Sequence, residues 1–310
     1  MLTKFKKKYI GNWEFYRRYL LLAIPMILQN AITNLVSFLD NIMVGQLGTE
    51  QMSGVAIVNQ LIFVYNLCIF GGVSGAGIFT AQYFGQKDDE GIRHTFRFKL
   101  WVSAILTALV IVIFIISGES LIQIYLNGSS DGGDLAAALR YGRQYMLVML
   151  CGLPAFMMVQ TYASTLRECG ETMVPMKAGV TAVLVNLVFN YLLIYGKFGF
   201  PELGVVGAAI ATVTAQALSV VFAVILLIKK KLPFKITRKD FGLNSQCKKF
   251  LKIGLPLALQ EFLTQMSFLA LCAFVNRLGL EASSGYGVAC KIVNFAMLIP
   301  SALMQSMASF

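Results

Sequence analysis

The chain has 310 residues, of which 57% are hydrophobic and 13% charged, with a net charge of +11 and a mean hydropathy of +0.70. Soluble domains carry about 25% charged residues, so this composition excludes an ordinary soluble fold. The positive charge lies in short clusters between apolar runs rather than on one face of a soluble domain. This distribution argues against nucleic acid binding and indicates a membrane protein.

Eight apolar runs approach the roughly 20 residues that an α-helix needs to cross a bilayer. We therefore predict an all-α polytopic membrane protein with spans at about 19–44, 53–79, 98–117, 137–162, 176–196, 204–228, 250–275 and 284–308. Pro25 and Pro256 are expected in the first turns of their spans, where the missing amide proton costs little. The charged segment 82–98, "QYFGQKDDEGIRHTFRF", is expected to be a solvated connection between the second and third spans.

The distribution of lysine and arginine predicts the orientation of the chain in the membrane. Of the 26 such residues, 21 lie in the N-terminus and the second, fourth and sixth connections, four lie in the opposite set, and Lys291 lies within the last span. Cytoplasmic segments carry the excess of positive charge. We therefore expect a multi-pass protein of the cell membrane whose N-terminus is cytoplasmic.

Residues 24–54 and 255–285 form an ungapped internal repeat at a constant offset of 231. The identical residues include polar and special ones as well as apolar ones: Pro25/Pro256, Leu28/Leu259, Gln29/Gln260, Thr33/Thr264, Val44/Val275, Leu47/Leu278, Gly48/Gly279, Glu50/Glu281, Ser53/Ser284 and Gly54/Gly285. Six spans separate the two copies, so both enter the membrane in the same direction. This is the arrangement of parallel repeats related by an axis along the membrane normal.

The repeat predicts two six-helix lobes. Residues 1–235 are expected to form the N-terminal lobe, with a cytoplasmic linker from 229, and residues 236–310 the first two helices of the C-terminal lobe. A second copy of full length would end at about residue 460, so we expect the chain to be truncated at its C-terminus, with four of twelve spans missing.

Asp40 is unusual because it lies deep in the first apolar run. A charged side chain at mid-bilayer costs about 2.5–3.5 kcal/mol on insertion scales, so such residues face a protein or water-filled interior and mark functional sites. Helical spacing places Gln29, Thr33 and Ser37 on the same face as Asp40. The amides and hydroxyls of this stripe could instead join helices, a common use in membranes.

Similar polar residues recur at helical spacing in later spans: Asn59 and Asn66 in the second, Asn186 and Asn190 in the fifth, and Thr212, Gln216 and Ser219 in the sixth. Each set alone is typical of packing. Together with Asp40, they would surround one carboxylate that binds a proton or Na⁺. Burial favours the protonated form of such a carboxylate, and a neighbouring cation favours the ionised form.

The second repeat carries Leu271 at the position of Asp40, so the repeat itself does not require a carboxylate there. Glu261, the other acidic residue deep in an apolar run, corresponds to Asn30. It could form a second ion site or pair with a residue of the missing spans. Lys291 could pair with a carboxylate or extend its charged end to the membrane surface.

Five segments resemble the multidrug and toxic compound extrusion (MATE) transporters: "PMILQNAITNLVSFLDNIMVGQLG", "AQYFGQKD", "LRECGETMVPM", "NLVFNYLLIYGKFGFPELGVVGAAIAT" and "GLPLALQ". The resemblance implies twelve helices in two lobes, a central cleft, and drug export driven by entry of H⁺ or Na⁺. It also implies that Asp40 binds the cation or proton, in a cavity that is also lined by Asn186, Asn190 and Thr212. Some members carry a second carboxylate where Asn190 stands, or a seventh-span glutamate where Thr264 stands.

The predicted function is a monomeric secondary transporter that exchanges H⁺ or Na⁺ for amphiphilic organic cations, including drugs, across the lipid bilayer. No cofactor is expected besides the coupling ion. The alternative is a flippase or exporter of lipid-linked precursors from the same superfamily, which would need a cavity rich in lysine or arginine. An enzyme is not expected, because it would need a nucleophile–base pair or metal ligands at depth. The chain offers two deep carboxylates and one histidine, His94, in a charged loop.

Overall fold

The computed structural model describes residues 13–126, 134–229 and 247–276, and in the last part of the chain 285–286, 289–290, 292–293 and 296–308. These residues form α1 (Trp13–Gly45), α2 (Thr49–Gly85), α3 (Asp89–Leu126), α4 (Leu135–Glu168), α5 (Met173–Tyr195), α6 (Gly204–Lys229), α7 (Cys247–Asn276) and α8 (Leu298–Ala308). A 3₁₀ turn, Lys197–Gly199, joins α5 to α6. Helices α1 to α6 are long and apolar enough to cross a membrane. The predicted all-α polytopic fold is therefore confirmed.

The helices extend beyond the apolar runs that predicted them. Because α1 begins at Trp13, Pro25 lies about three turns inside the helix. Pro256 likewise lies inside α7, which begins at Cys247. The expectation that both prolines occupy first turns is wrong, since polar residues before each apolar run are also helical. Each proline removes one hydrogen bond from the helix interior, where bends arise.

The charged segment 82–98 is mostly helical, and the expectation of a solvated connection is wrong for its second half. Only residues 86–88 separate α2 from α3. Ile92 and Phe96 on the first turns of α3 are buried against Tyr83, Tyr162 and Cys169. Burial of these apolar side chains holds this part of the segment against the bundle. The charged residues of the segment alone had predicted that it is exposed to solvent.

Packing in the first six helices depends on glycines at close helix contacts. α2 packs against α3 and α4, α4 against α3 and α6, and α5 against α1 and α6. A Cβ at Gly54 of α2 would lie 2.6 Å from Ala138 O of α4, and one at Gly207 of α6 would lie 2.5 Å from Leu193 O of α5. Residues without side chains let membrane helices approach this closely.

Contacts between helices fix their relative directions. Gly54 meets Gly142 near the first turns of α2 and α4, and Gly77 meets Glu168 near their last turns, so these two helices run parallel. Helices α1, α3, α5 and α7 begin at one end of the bundle, which we call the basic end because Arg93 and Lys177 lie there. We call the other end the opposite end.

Helices α7 and α8 attach to the first six at two places. α7 packs against α2, and α8 packs against α1. At the repeat offset of 231, α7 corresponds to α1 and α8 to α2. The two contacts therefore fall at equivalent positions of the predicted repeat.

Candidate functional site: a carboxylate and amide cluster in the first six helices

The side chain of Asp40 on α1 meets two amides of α5. Asn190 Nδ2 donates a hydrogen bond of 2.7 Å to Asp40 Oδ1 and a second one of 3.2 Å to Asn186 Oδ1. Asn186 and Asn190 are both buried, and Asp40 is partly buried. The three residues lie in the C-terminal halves of their helices, in the half of the bundle towards the opposite end.

The amide of Asn186 lies between Asp40 and Thr212 of α6. One of its two terminal atoms is 2.9 Å from Asp40 Oδ2, and the other is 3.1 Å from Thr212 Oγ1. The Thr212 hydroxyl also donates to Ala208 O at 3.0 Å. Asp40, Asn186, Asn190 and Thr212, which the sequence grouped from three separate spans, thus form one hydrogen-bonded cluster.

Two further contacts hold α1 against α5 on either side of this cluster. Gln29 covers Gly179, where a Cβ would be 2.6 Å from Gln29 Nε2. At the opposite end, the Tyr195 hydroxyl lies 2.7 Å from Gln46 Oε1 and 3.2 Å from Met43 O, either of which can accept its single proton. Because α1 and α5 run parallel, these contacts keep Asp40 in register with Asn190.

The cluster contains an acceptor without a partner. Asn190 Oδ1 is buried and makes no hydrogen bond within the described part of the chain. Unpaired buried acceptors are uncommon in proteins, and each calls for an explanation such as an ion or water. This oxygen lies on the same side chain that donates to Asp40, so a free acceptor stands beside the carboxylate.

Tyr145 of α4 is a neighbour of the cluster that sequence reasoning missed. Its ring is buried, and its hydroxyl donates to Asn59 Oδ1 of α2 at 3.2 Å. It is close enough to Asp40 for their charges to interact. Asn59, a predicted cavity residue, thus hydrogen-bonds to Tyr145, and none of its hydrogen bonds in the described part of the chain reaches Asp40, Asn186, Asn190 or Thr212.

Other predicted residues lie outside the cluster. Thr33 and Ser37, in the middle of the polar stripe on α1, are exposed. Gln29 and Asp40, at the two ends of the stripe, contact α5. Gln216 faces α4, with Oε1 2.7 Å from the position of a Cβ at Gly152. Glu261 is partly buried on α7, and Lys291 lies outside the described residues.

A buried ion pair at the basic end was also missed. Lys99 is fully buried and forms a salt bridge with Glu168, and its Nζ donates to Ser164 Oγ at 3.2 Å. Ser164 in turn donates to Glu168 Oε1 at 2.6 Å. The absent side chain of Gly77 leaves room for Glu168, since a Cβ there would lie 2.4 Å from Oε1. The sequence places Lys99 among the charges of the second connection. The available sequence signal for the buried pair was the i, i+4 spacing of Ser164 and Glu168.

The described residues define a class of protein: a multi-pass helical membrane protein whose polar cluster surrounds one carboxylate. Among them, no group of three or more His, Cys, Asp or Glu side chains could hold a metal ion. The sequence profile of the MatE family matches residues 25–192. The chain belongs to this family, which confirms the resemblance to the MATE transporters and agrees with the interpretation that it is not an enzyme.

Relatives and solved structures match nearly the whole chain. The probable multidrug resistance protein NorM of Photorhabdus laumondii is 27% identical over 293 residues, covering 93% of this chain and 62% of that protein. The protein of the same name from Thermotoga maritima is 26% identical over 296 residues, covering 92% and 60%. The chain thus spans about three fifths of the length of these curated relatives.

Two solved structures illustrate the shared fold. An outward-facing multidrug resistance MATE family transporter superposes with a TM-score of 0.83 at 23% identity, covering 94% of this chain and 63% of that one. A MOP superfamily transporter from Pyrococcus furiosus gives a TM-score of 0.82 at 23% identity, covering 94% and 63%. At this identity the comparison establishes the fold.

Proposed function

We propose that this chain is part of a secondary active transporter that exports amphiphilic organic cations in exchange for H⁺ or Na⁺. The observation that carries the proposal is Asp40, a carboxylate inside a membrane helix that is held by amides of another helix. An ionisable residue within a membrane bundle marks an ion or substrate pathway. The names of the NorM relatives, probable multidrug resistance proteins, support drugs as the transported compounds.

The position of the Asn186 amide supports the proposal that a cation binds reversibly at Asp40. With a proton on Oδ2, Asp40 would donate to Asn186 Oδ1 at 2.9 Å, and Asn186 Nδ2 would donate to Thr212 Oγ1 at 3.1 Å. With Asp40 ionised, the amide turned end for end would donate to Oδ2, and its oxygen would accept from Thr212 Oγ1, whose single proton would turn from Ala208 O, and from Thr212 N at 3.3 Å. Turning the Asn186 amide therefore gives Asp40 Oδ2 a hydrogen-bond partner in both protonation states, and the ionised state gives up the hydrogen bond from Asn190 Nδ2 to Asn186 Oδ1.

The same cluster is chemically suited to Na⁺. Hard cations bind carboxylate, amide and hydroxyl oxygens. Asp40 offers the charge, and the buried Asn190 Oδ1 offers an acceptor that has no hydrogen bond in the described structure. We therefore keep H⁺ and Na⁺ as alternative coupling ions that bind at one place.

We propose that the basic end is cytoplasmic and that the protein acts as a monomer in the cell membrane. The excess of lysine and arginine supports the orientation. In this orientation, the Asp40 cluster lies in the outer half of the membrane. A cation entering from outside would reach this cluster without crossing the inner half of the membrane.

The alternative of a lipid-linked precursor flippase would need free basic side chains in the cleft between the lobes. Lys99, which is fully buried, is instead neutralised by Glu168 between α2, α3 and α4. No observation in the described residues favours the flippase.

Efflux of a dye cation from membrane vesicles tests the proposal. Wild-type protein and the Asp40→Asn variant are compared under a proton gradient and a sodium gradient applied separately. We expect one gradient to drive efflux by the wild type and Asp40→Asn to abolish it. Glu119→Gln is the matched control, because Glu119 is exposed and pairs with the exposed Arg143. Gradient-driven efflux that persists in Asp40→Asn would refute the proposed role of Asp40.

A further inference from the structure

The two lobes meet through small residues at two places that the repeat makes equivalent. A Cβ at Gly75 of α2 would lie 2.1 Å from Gly254 Cα of α7, so the two backbones touch. At the offset of 231, Gly75 corresponds to Ser306 and Gly254 to Ala23. Ala23 on α1 and Ser306 on α8 are fully buried, and these two helices pack together.

An aromatic residue lies one turn before the small residue of α7 and of α1. Phe250 of α7 is fully buried, and its ring centroid is 5.0 Å from both Phe79 of α2 and Phe98 of α3. Its counterpart in the repeat is Tyr19 of α1, whose hydroxyl donates to Leu303 O of α8 at 2.9 Å. Each lobe's first helix therefore places an aromatic side chain against the other lobe.

Both contacts lie at the basic end, and the helices become more exposed beyond them. On the face of α7 that carries Phe250 and Gly254, both buried, Glu261 is only partly buried. The matching face of α1 changes from the fully buried Ala23 to the exposed Asn34. An open groove on α7 also begins past the contact and is lined by Pro256, Leu259, Gln260, Leu263, Thr264 and Ser267.

We propose that the two contacts are paired latches that close the cleft between the lobes at the basic end. The α2–α7 latch consists of Gly75, Gly254, and Phe250 in its socket of Phe79 and Phe98. The α1–α8 latch consists of Tyr19, Ala23 and the buried turn of α8 around Ser306. Because the lobes are related by the repeat, rigid-body opening at the basic end must separate both latches together. This inference rests on the proposed transport function, since a cleft that never opened there would need no latch.

A disulfide across the α2–α7 latch tests the proposal in a background without the native cysteines. Phe79→Cys with Phe250→Cys joins the two lobes. Phe96→Cys with Tyr162→Cys is the matched control, because those rings are 5.1 Å apart at the same end but within one lobe. We expect oxidation of the inter-lobe pair to lower dye efflux at least about tenfold, as for a blocked gate, and reductant to restore it. The control disulfide should leave efflux within about twofold.

Three outcomes would overturn the latch. The first is an inter-lobe disulfide that forms without slowing efflux, because the lobes then need not separate there. The second is an equal loss with the control pair, because the effect would not depend on joining the lobes. The third is an inter-lobe pair that does not crosslink under oxidation.

A second measurement does not depend on transport, so it separates failure of the latch from failure of the proposed function. Thr264→Cys, exposed on α7 beyond the latch, is labelled with a membrane-impermeant maleimide in vesicles of each orientation. We expect labelling from the opposite end only, and Phe250→Ala to add labelling from the basic end. Phe262→Ala is the control, because Phe262 is an exposed aromatic of the same helix. Unchanged labelling in Phe250→Ala would contradict the latch even if no dye were exported.

Discussion

Asn190 of α5 donates a hydrogen bond of 2.7 Å to Asp40 of α1, across 150 residues of chain. The bond joins two parallel helices, and a hydrogen bond to a charged group contributes about 1.5–3 kcal/mol in proteins generally. Asn190 also supplies the buried Oδ1 that has no partner in the described structure. One side chain thus offers both a donor to the carboxylate and a free acceptor beside it.

Replacement of Asn190 by leucine is expected to slow ion-driven efflux by about tenfold or more, because the charged state of Asp40 loses its donor. The measurement is dye efflux over a range of proton or sodium concentrations. Asn66→Leu is the control, since Asn66 lies on α2 and is partly buried outside the cluster. Equal efflux by Asn190→Leu and wild type would argue against the cluster.

Substitution of Thr212 tests the contact that supports Asn186. Thr212→Val keeps the shape of the side chain but removes the hydroxyl that lies 3.1 Å from the Asn186 amide. A neutral hydrogen bond contributes about 1 kcal/mol, so efflux should fall about fivefold. Thr212→Ser retains the hydroxyl and should transport nearly as the wild type. A serine variant as slow as the valine variant would show that the methyl group, and not the hydroxyl, matters.

The buried ion pair at the basic end predicts a non-additive effect on stability. Lys99→Met leaves the partly buried Glu168 without its cation, which should lower the free energy of unfolding by up to about 3 kcal/mol, the lower end for a buried pair. The double variant Lys99→Met with Glu168→Met should lose less than the single variant, because it leaves no unpaired charge. Unfolding in detergent, followed by circular dichroism, measures both. A double variant less stable than Lys99→Met would contradict this account.

The glycine contact between α2 and α7 predicts an asymmetry between two alanine variants. A Cβ at Gly75 would lie 2.1 Å from Gly254 Cα, whereas a Cβ at Gly254 would lie 3.5 Å from Gly75 Cα, an ordinary van der Waals distance. Gly75→Ala should therefore push the lobes apart at the basic end, and Gly254→Ala should be tolerated. Labelling of Thr264→Cys from the basic end reports the difference. Similar labelling in both variants would exclude this steric mechanism.

The helical fold could be predicted from the sequence because a bilayer imposes a length and an apolar composition on each span. The positions of α1 to α7 follow the apolar runs, with extensions at their ends. Hydropathy misplaces Pro25 because it marks the membrane core, whereas the α1 helix begins earlier, at Trp13. Charge alone misplaces the segment 89–98 in solvent because it ignores the buried face formed by Ile92 and Phe96.

The sequence by itself determined that Asp40 is exceptional, since a carboxylate in an apolar span is costly, and the repeat determined that Leu271 replaces it in the second copy. Only the tertiary structure decided that, of the amides the sequence grouped with Asp40, Asn186 and Asn190 reach it and Gln216 does not, because helical spacing gives a face but not the neighbour of that face. It also showed that Lys99, which the sequence places among the charges of a connection, is buried and forms a salt bridge with Glu168. Such partners are set by how helices far apart in the chain pack, and no local pattern encodes that distance.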